Sequence, residues 1–139
     1  MFVMDSRLQQ DSYVLGDFPL CRLLVSKDAN YPWFILVPKR AGVSELFDLS
    51  QEDQAQFWKE TTYLAEALKS EFAADKMNVA TLGNVVSQMH MHVIVRHKHD
   101  AAWPAPVWGK VPAVEYGPGQ VEAIRLRLRD LLKSGYEEA

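Results

Sequence analysis

Cysteine is nearly missing from this chain: Cys21 is its one thiol in 139 residues. A single cysteine excludes an intramolecular disulfide and any zinc cage built from thiolates. Basic charge is not in excess either, since 15 Lys and Arg against 18 Asp and Glu leave a formal net charge of -3. No global positive field draws such a chain to nucleic acid, although a local basic pocket for phosphate remains open. No apolar run approaches the ~20 residues that a membrane-spanning helix needs. The opening residues MFVMDSRLQQ carry an acid and no long apolar segment, so they do not read as a secretory leader. These absences predict a soluble cytoplasmic protein with no nucleic-acid and no membrane partner. What is present is a globular composition, 48% hydrophobic and 24% charged, in one domain spanning 1–139. No internal repeat or low-complexity segment interrupts it.

Apolar patterning divides the chain into strands and helices. YVLGDFPLCRLLVS (13–26) holds a Gly-Asp turn signal and an apolar run, which predicts one or two strands. KDANYP is a loop, and WFILV (33–37) is a buried strand stopped by Pro38. Residues 39–49 look irregular, with room for a short helical turn. Ser50 with Asp53 three residues on forms a near capping box, and Phe57, Thr61, Leu64, Leu68 and Phe72 follow at helical spacing to about residue 73. MNVATLG (77–83) and QMHMHVIVR (88–96) are predicted strands, the first ending at Gly83-Asn84. Pro104, Pro106 and Pro112 make 103–118 extended and loop-like, and an amphipathic helix is predicted over about 119–133. Strands in pairs with no helix between them imply an α+β fold with an antiparallel sheet and one central helix.

All four histidines, at 90, 92, 97 and 99, lie in the stretch SQMHMHVIVRHKHD (87–100). A strand sends alternate side chains to opposite faces. Met89, Met91, Val93 and Val95 then form a core face, while Gln88, His90, His92, Ile94 and Arg96 share the other. Residues two apart on a strand stand ~7 Å from each other, about the span of a phosphate and its leaving atom. Imidazole is neutral, nucleophilic or acidic near pH 7, so two on one face can divide those roles. Isolated strand histidines are more often structural, and His-x-His on a strand can also chelate zinc. Zinc would require further ligands such as His97, His99 or Asp100, beyond the strand end, and is the less favoured alternative.

The run Gln88-Met-His90-Met-His92-Val-Ile resembles the signature of the histidine triad (HIT) family, in which three histidines alternate with apolar residues. WFILVPKR (33–40) resembles the family's strand ending in Pro-Lys, residues 50–72 its central helix, and WPAPVWG (103–109) a Trp-Pro segment found after the motif in some members. The resemblance covers about 13–109 and implies an antiparallel sheet of about five strands with a central and a C-terminal helix. Family members are nucleotide-binding hydrolases and transferases acting on the α-phosphate of nucleotide conjugates. Carried over, His90 is the nucleophile that forms a nucleotidyl-histidine, and His92 binds phosphate oxygens and assists departure of the leaving group. A neutral imidazole held in one tautomer suits that route, and a backbone carbonyl near His90 would hold it so. By the same resemblance Asn84 contacts phosphate or ribose and Asp28 holds ribose hydroxyls. Arg96, following the strand, is a further candidate for phosphate by position, against the commoner solvated or ion-paired role. Asn and Asp also favour turns on their own account. His97 and His99 are read as solvated.

This chain departs from the pattern at two points. Gln88 stands where the first triad histidine would be, and Trp33 where some members carry a fourth histidine. Glutamine exchanges hydrogen bonds but does not titrate, so Gln88 can hold geometry or contact phosphate without moving a proton. Trp33 is expected at the sheet edge or near the site, with Trp103 and Trp108 shaping the site or packing as large apolar groups. A homodimer is implied by resemblance alone, with the helix of residues 50–72 and the strand near it as its interface, and no cofactor is required. The resulting expectation is a hydrolase or transferase of a purine nucleotide conjugate: a dinucleoside polyphosphate, a nucleoside phosphoramidate or an adenylate. A nucleotide-binding module without turnover and a zinc-binding domain are the alternatives.

Overall fold

The computed structural model describes residues 1–133 and 135–139. Its elements in chain order are α1 (Ser6–Asp11), β1 (Ser12–Asp17), β2 (Cys21–Ser26), β3 (Trp33–Pro38), a 3-10 turn (Leu46–Asp48), α2 (Gln51–Glu71), β4 (Lys76–Ala80), β5 (Met91–Arg96), α3 (Gln120–Leu131) and β6 (Glu137–Glu138). The sheet runs β4-β5-β3-β2-β1-β6, and each neighbouring pair is antiparallel. The fold is therefore the α+β architecture expected, with six strands in place of about five. The added strand, β6, is two residues long and pairs Gly16 and Asp17. Gly16 admits it because a Cβ there would collide with the Glu137 carbonyl and the Tyr136 ring.

Helix α2 begins where the Ser50 hydroxyl accepts the Asp53 N–H at 3.0 Å, one half of a capping box. It buries Phe57, Thr61, Leu64 and Leu68 against one sheet face, where Met89, Met91, Val93 and Val95 join the same core cluster. Each such side chain contributes about 1.5–3 kcal/mol of apolar burial. Glu60 is buried in the same face, and its carboxylate accepts the Leu20 and Cys21 N–H groups, each at 2.8 Å. The carboxylate thus ties α2 to the start of β2. Burial, with the Glu60 charge beside it, pushes the Cys21 thiol far up, so it stays protonated.

Two layers cover the opposite sheet face. The N-terminal arm and helix α1 lay Met4 and Leu8 over Leu24, Ile35 and Val37, and the segment after β5 lays Ala102 and Val107 over Tyr31 and Ile94. The helix at 6–11 had no expectation attached to it. The strand expected over 88–96 forms only from Met91, paired with Leu36, because β3 ends in Pro38, which has no N–H to extend the ladder. The strand expected over 77–83 stops at Ala80, opposite His92. Residues 81–90 instead form a loop that bounds the site.

Candidate active site

Between the two covering layers the sheet is open, leaving a cavity of about 860 Å³ above β3 and β5. His90 precedes β5 and His92 lies within it; both line the cavity and each is 6% exposed. Their rings meet edge to face with centroids 4.9 Å apart.

Hydrogen-bond partners settle the proton positions of both rings. His90 Nδ1 lies 2.7 Å from the Gln88 carbonyl oxygen. A carbonyl only accepts, so Nδ1 carries the hydrogen and neutral His90 presents a lone pair at Nε2. His92 Nδ1 receives the indole N–H of Trp33 at 2.9 Å. An indole only donates, so Nδ1 of His92 holds the lone pair and Nε2 holds the hydrogen. The pair is therefore complementary: one ring offers an electron pair, the other an N–H. Burial, with His90 beside it, lowers the His92 pKa to about 3.

The first residue of β3 is Trp33, set opposite Ile94 and diagonal to His92. Trp108, from the segment after β5, closes the other side. Its ring meets His92 at 5.0 Å and Trp33 at 5.6 Å, nearly perpendicular to both. Trp33 and Trp108 thus both reach the site within one chain. Trp103 does not: its ring packs under the Arg96 guanidinium at 5.7 Å.

Asp28 and Asn84 line the cavity on opposite sides of the histidines. Asp28 Oδ1 accepts the Asn30 N–H at 3.0 Å, the Asn30 side-chain amide at 2.8 Å and the Val114 N–H at 3.3 Å. Those bonds fix the carboxylate and tether the 103–118 segment, all through one oxygen. Burial and the Asp28 charge push the neighbouring Tyr116 phenol up to about 12, so it remains a neutral cavity wall. Asn84 is exposed in the β4–β5 loop. Arg7 and Lys27 supply positive charge at the rim, against Asp11 and Glu115. Arg7 and Lys27 escaped the sequence reading because single basic residues outside a motif give no periodic signal.

Two expected site residues lie elsewhere. The Gln88 side chain turns to the N-terminal arm, its amide donating to the Val3 carbonyl at 2.9 Å and accepting the Asp5 N–H at 2.8 Å. Strand alternation does not extend back to residue 88, because the ladder starts at Met91. Gln88 contributes its backbone carbonyl to His90 and its side chain to a clasp that holds α1. Arg96 is not among the residues lining the cavity and takes the ion-paired role instead. Only 1% exposed, it donates to both Asp100 oxygens (2.8 and 3.1 Å), to Asn78 at 2.7 Å and to the Ala105 carbonyl at 2.8 Å. Burial raises the Asp100 carboxyl, but Arg96 and three backbone N–H groups outweigh it and bring its pKa down to about 2. His97 is not simply solvated either, since its Nε2–H donates to the Phe72 carbonyl at 2.9 Å, just past the end of α2. His99 is exposed and stacks on it at 5.1 Å. Among the described residues no three His, Cys, Asp or Glu side chains are grouped to hold a metal ion. Both Nδ1 atoms of the central pair are already engaged.

The HIT domain model matches residues 7–99, the part of the chain that holds both histidines and the sheet beneath them. The chain belongs to the histidine triad family. Three solved histidine triad proteins extend the likeness to nearly the whole chain. The protein from Bradyrhizobium japonicum is 42% identical with a TM-score of 0.92, covering 95% of this chain and 98% of that one. The one from Marinobacter aquaeolei is 44% identical at a TM-score of 0.92, over 95% and 96%. The one from Sinorhizobium meliloti is 39% identical at 0.92, over 95% and 98%. A search of the curated proteins finds no match. Membership in the histidine triad family makes this a chain of the nucleotide-binding hydrolase and transferase class.

Proposed function

We propose that this histidine triad chain cleaves or transfers at the α-phosphate of a purine nucleotide conjugate through a nucleotidyl-His90 intermediate. The observation that carries the reading is the His90 tautomer, with Nδ1–H held by the Gln88 carbonyl and the Nε2 electron pair left for phosphorus. In the first step His90 Nε2 forms a bond to the α-phosphorus while the bond to the leaving group breaks, its electron pair departing with that group. In the second, water attacks the phosphorus, the N–P pair returns to Nε2, and one proton is released. His92 stands ready as an N–H donor to a non-bridging phosphate oxygen, where charge builds in the transition state. Asp28, with one oxygen tied into its loop, presents the other to a ribose hydroxyl, and Asn84 faces it from the β4–β5 loop. The flat rings of Tyr13, Tyr116 and Trp108 line the cavity and suit a stacked base.

The test is nucleotide release from a panel of adenosine conjugates (anhydride, ester and phosphoramidate) by wild type and His90→Ala. Release on at least one conjugate that falls to background in the variant supports the reading. Nucleotide binding with no release above that background would assign the chain to a binding role instead.

The expectation of a homodimer belongs to the same proposal. Edge strand β4 exposes Val79 at 41% and α2 exposes Trp58 at 47%. An unpaired edge beside exposed apolar groups is suited to pairing with a second copy.

A further inference from the structure

We infer that Trp33 is a positioning residue that denies the site an imidazolium acid, and so restricts the chain to conjugates whose leaving group departs as a stable anion. The inference rests on the proposed nucleotidyl-His90 chemistry and narrows its substrate class to phosphoric anhydrides, acyl phosphates and activated esters, with amine conjugates disfavoured.

A proton for the leaving group has few possible sources in this site. An oxygen leaving group of low basicity departs with its electron pair and needs no proton. An amine does not leave as an amide anion, so its nitrogen must be protonated as the P–N bond breaks. His90 cannot supply that proton, because its Nε2 is forming the bond to phosphorus and its Nδ1–H is held by the Gln88 carbonyl. His92 is the other imidazole in reach, with its ring centroid 4.9 Å from that of His90. Protonating His92 would place a second hydrogen on Nδ1, directly facing the Trp33 indole N–H now 2.9 Å away. Indole has no lone pair to accept it, so the two donors would repel with no water between them. Trp108 stands edge-on against the same imidazole at 5.0 Å and against Trp33 at 5.6 Å, so the two rings brace each other. Neutral His92 retains an Nε2–H that can donate a hydrogen bond to phosphate but is far too weak an acid to give the proton up near pH 7. A histidine in place of Trp33 could accept from Nδ1 and permit the charged form. Tryptophan cannot.

Two measurements test this. In the first, kcat/KM is compared at pH 7 for adenosine 5′-(p-nitrophenyl phosphate) and adenosine 5′-phosphoramidate, with wild type, Trp33→Phe and His90→Ala. General-acid help is worth roughly 10²–10⁴-fold. Wild type should therefore favour the ester by at least about a hundredfold, and Trp33→Phe, which removes the indole donor and keeps an aromatic ring beside His92, should narrow that ratio about tenfold or more by gaining on the phosphoramidate. In the second, 15N NMR of wild-type His92 should show Nδ1 unprotonated and Nε2 protonated, with Nδ1 changing in Trp33→Phe. A phosphoramidate rate close to that of the ester in wild type, or a ratio unmoved by Trp33→Phe, overturns the inference while leaving His90 chemistry intact. A protonated Nδ1 overturns it independently of turnover. Absence of His90-dependent release from either substrate overturns both this inference and the reading beneath it.

Discussion

Lowering the pH from 7 to 5 is expected to destabilise the fold through His92 alone by about 2 kcal/mol. The unfolded chain protonates this imidazole at its ordinary pKa of 6.5, whereas burial, with His90 beside it, holds the folded value at about 3. At pH 7 the unfolded state binds the proton about a quarter of the time and the folded state hardly at all. Between pH 6.5 and 3 the unfolded state binds it and the folded state does not, so stability falls as pH falls. At pH 5 the separation from 6.5 is 1.5 pH units, and at about 1.4 kcal/mol each this gives the ~2 kcal/mol stated. The loss would approach about 5 kcal/mol below pH 3, a large fraction of the stability of an ordinary domain. His92→Asn is the control: its carbonyl oxygen can accept the Trp33 N–H, and it does not titrate. Urea denaturation of both proteins at pH 7 and pH 5 isolates His92 together with its coupling to His90, because the remaining titrating groups are common to both and drop out of the difference. The wild type should lose about 2 kcal/mol more than the variant between the two conditions. Parallel losses would refute a neutral, buried His92.

Other sites yield further predictions. Arg96→Met should cost about 3–5 kcal/mol, since it leaves the Asp100 carboxylate, 6% exposed in its side chain, without its charge partner; thermal and urea unfolding measure it. Gln88→Ala should free the N-terminal arm, read as faster amide exchange at Asp5 and through α1, while Gln88→His should not restore the two-way clasp. Glu60→Leu should cost at least about 2 kcal/mol by orphaning the Leu20 and Cys21 N–H groups, and native Cys21 should resist thiol reagents until the chain unfolds. Sedimentation or light scattering should report a dimer that Val79→Lys on edge strand β4 weakens.

The fold was largely legible because alternation and helical spacing report burial directly. Met89, Met91, Val93 and Val95 stand in the core as period-two spacing requires, and Ser50 caps α2. What escaped depended on partners outside any periodic pattern. Gln88 was assigned to the catalytic face by extending a strand three residues too far, and only the end of β3 at Pro38 shows why the ladder begins at Met91. Arg96 carries the charge of a phosphate ligand, but a carboxylate four residues on and a turn of backbone consume it. Helix α1 has six residues, too few to establish a hydrophobic period, and β6 exists only because Gly16 leaves space for it. The Trp33–His92 bond joins residues 59 apart, and nothing local to either announces it.

The most direct test of the account is covalent capture at His90. Wild type would be mixed with an adenosine anhydride labelled at the α-phosphate, quenched within one turnover under alkaline conditions that preserve a phosphorus–nitrogen bond, and mapped by peptide mass. The account predicts nucleotidyl label on the peptide bearing Gln88–His92, at His90, acid-labile and missing from His90→Ala. Turnover of the same substrate that survives His90→Ala, or label carried on another side chain, would contradict it.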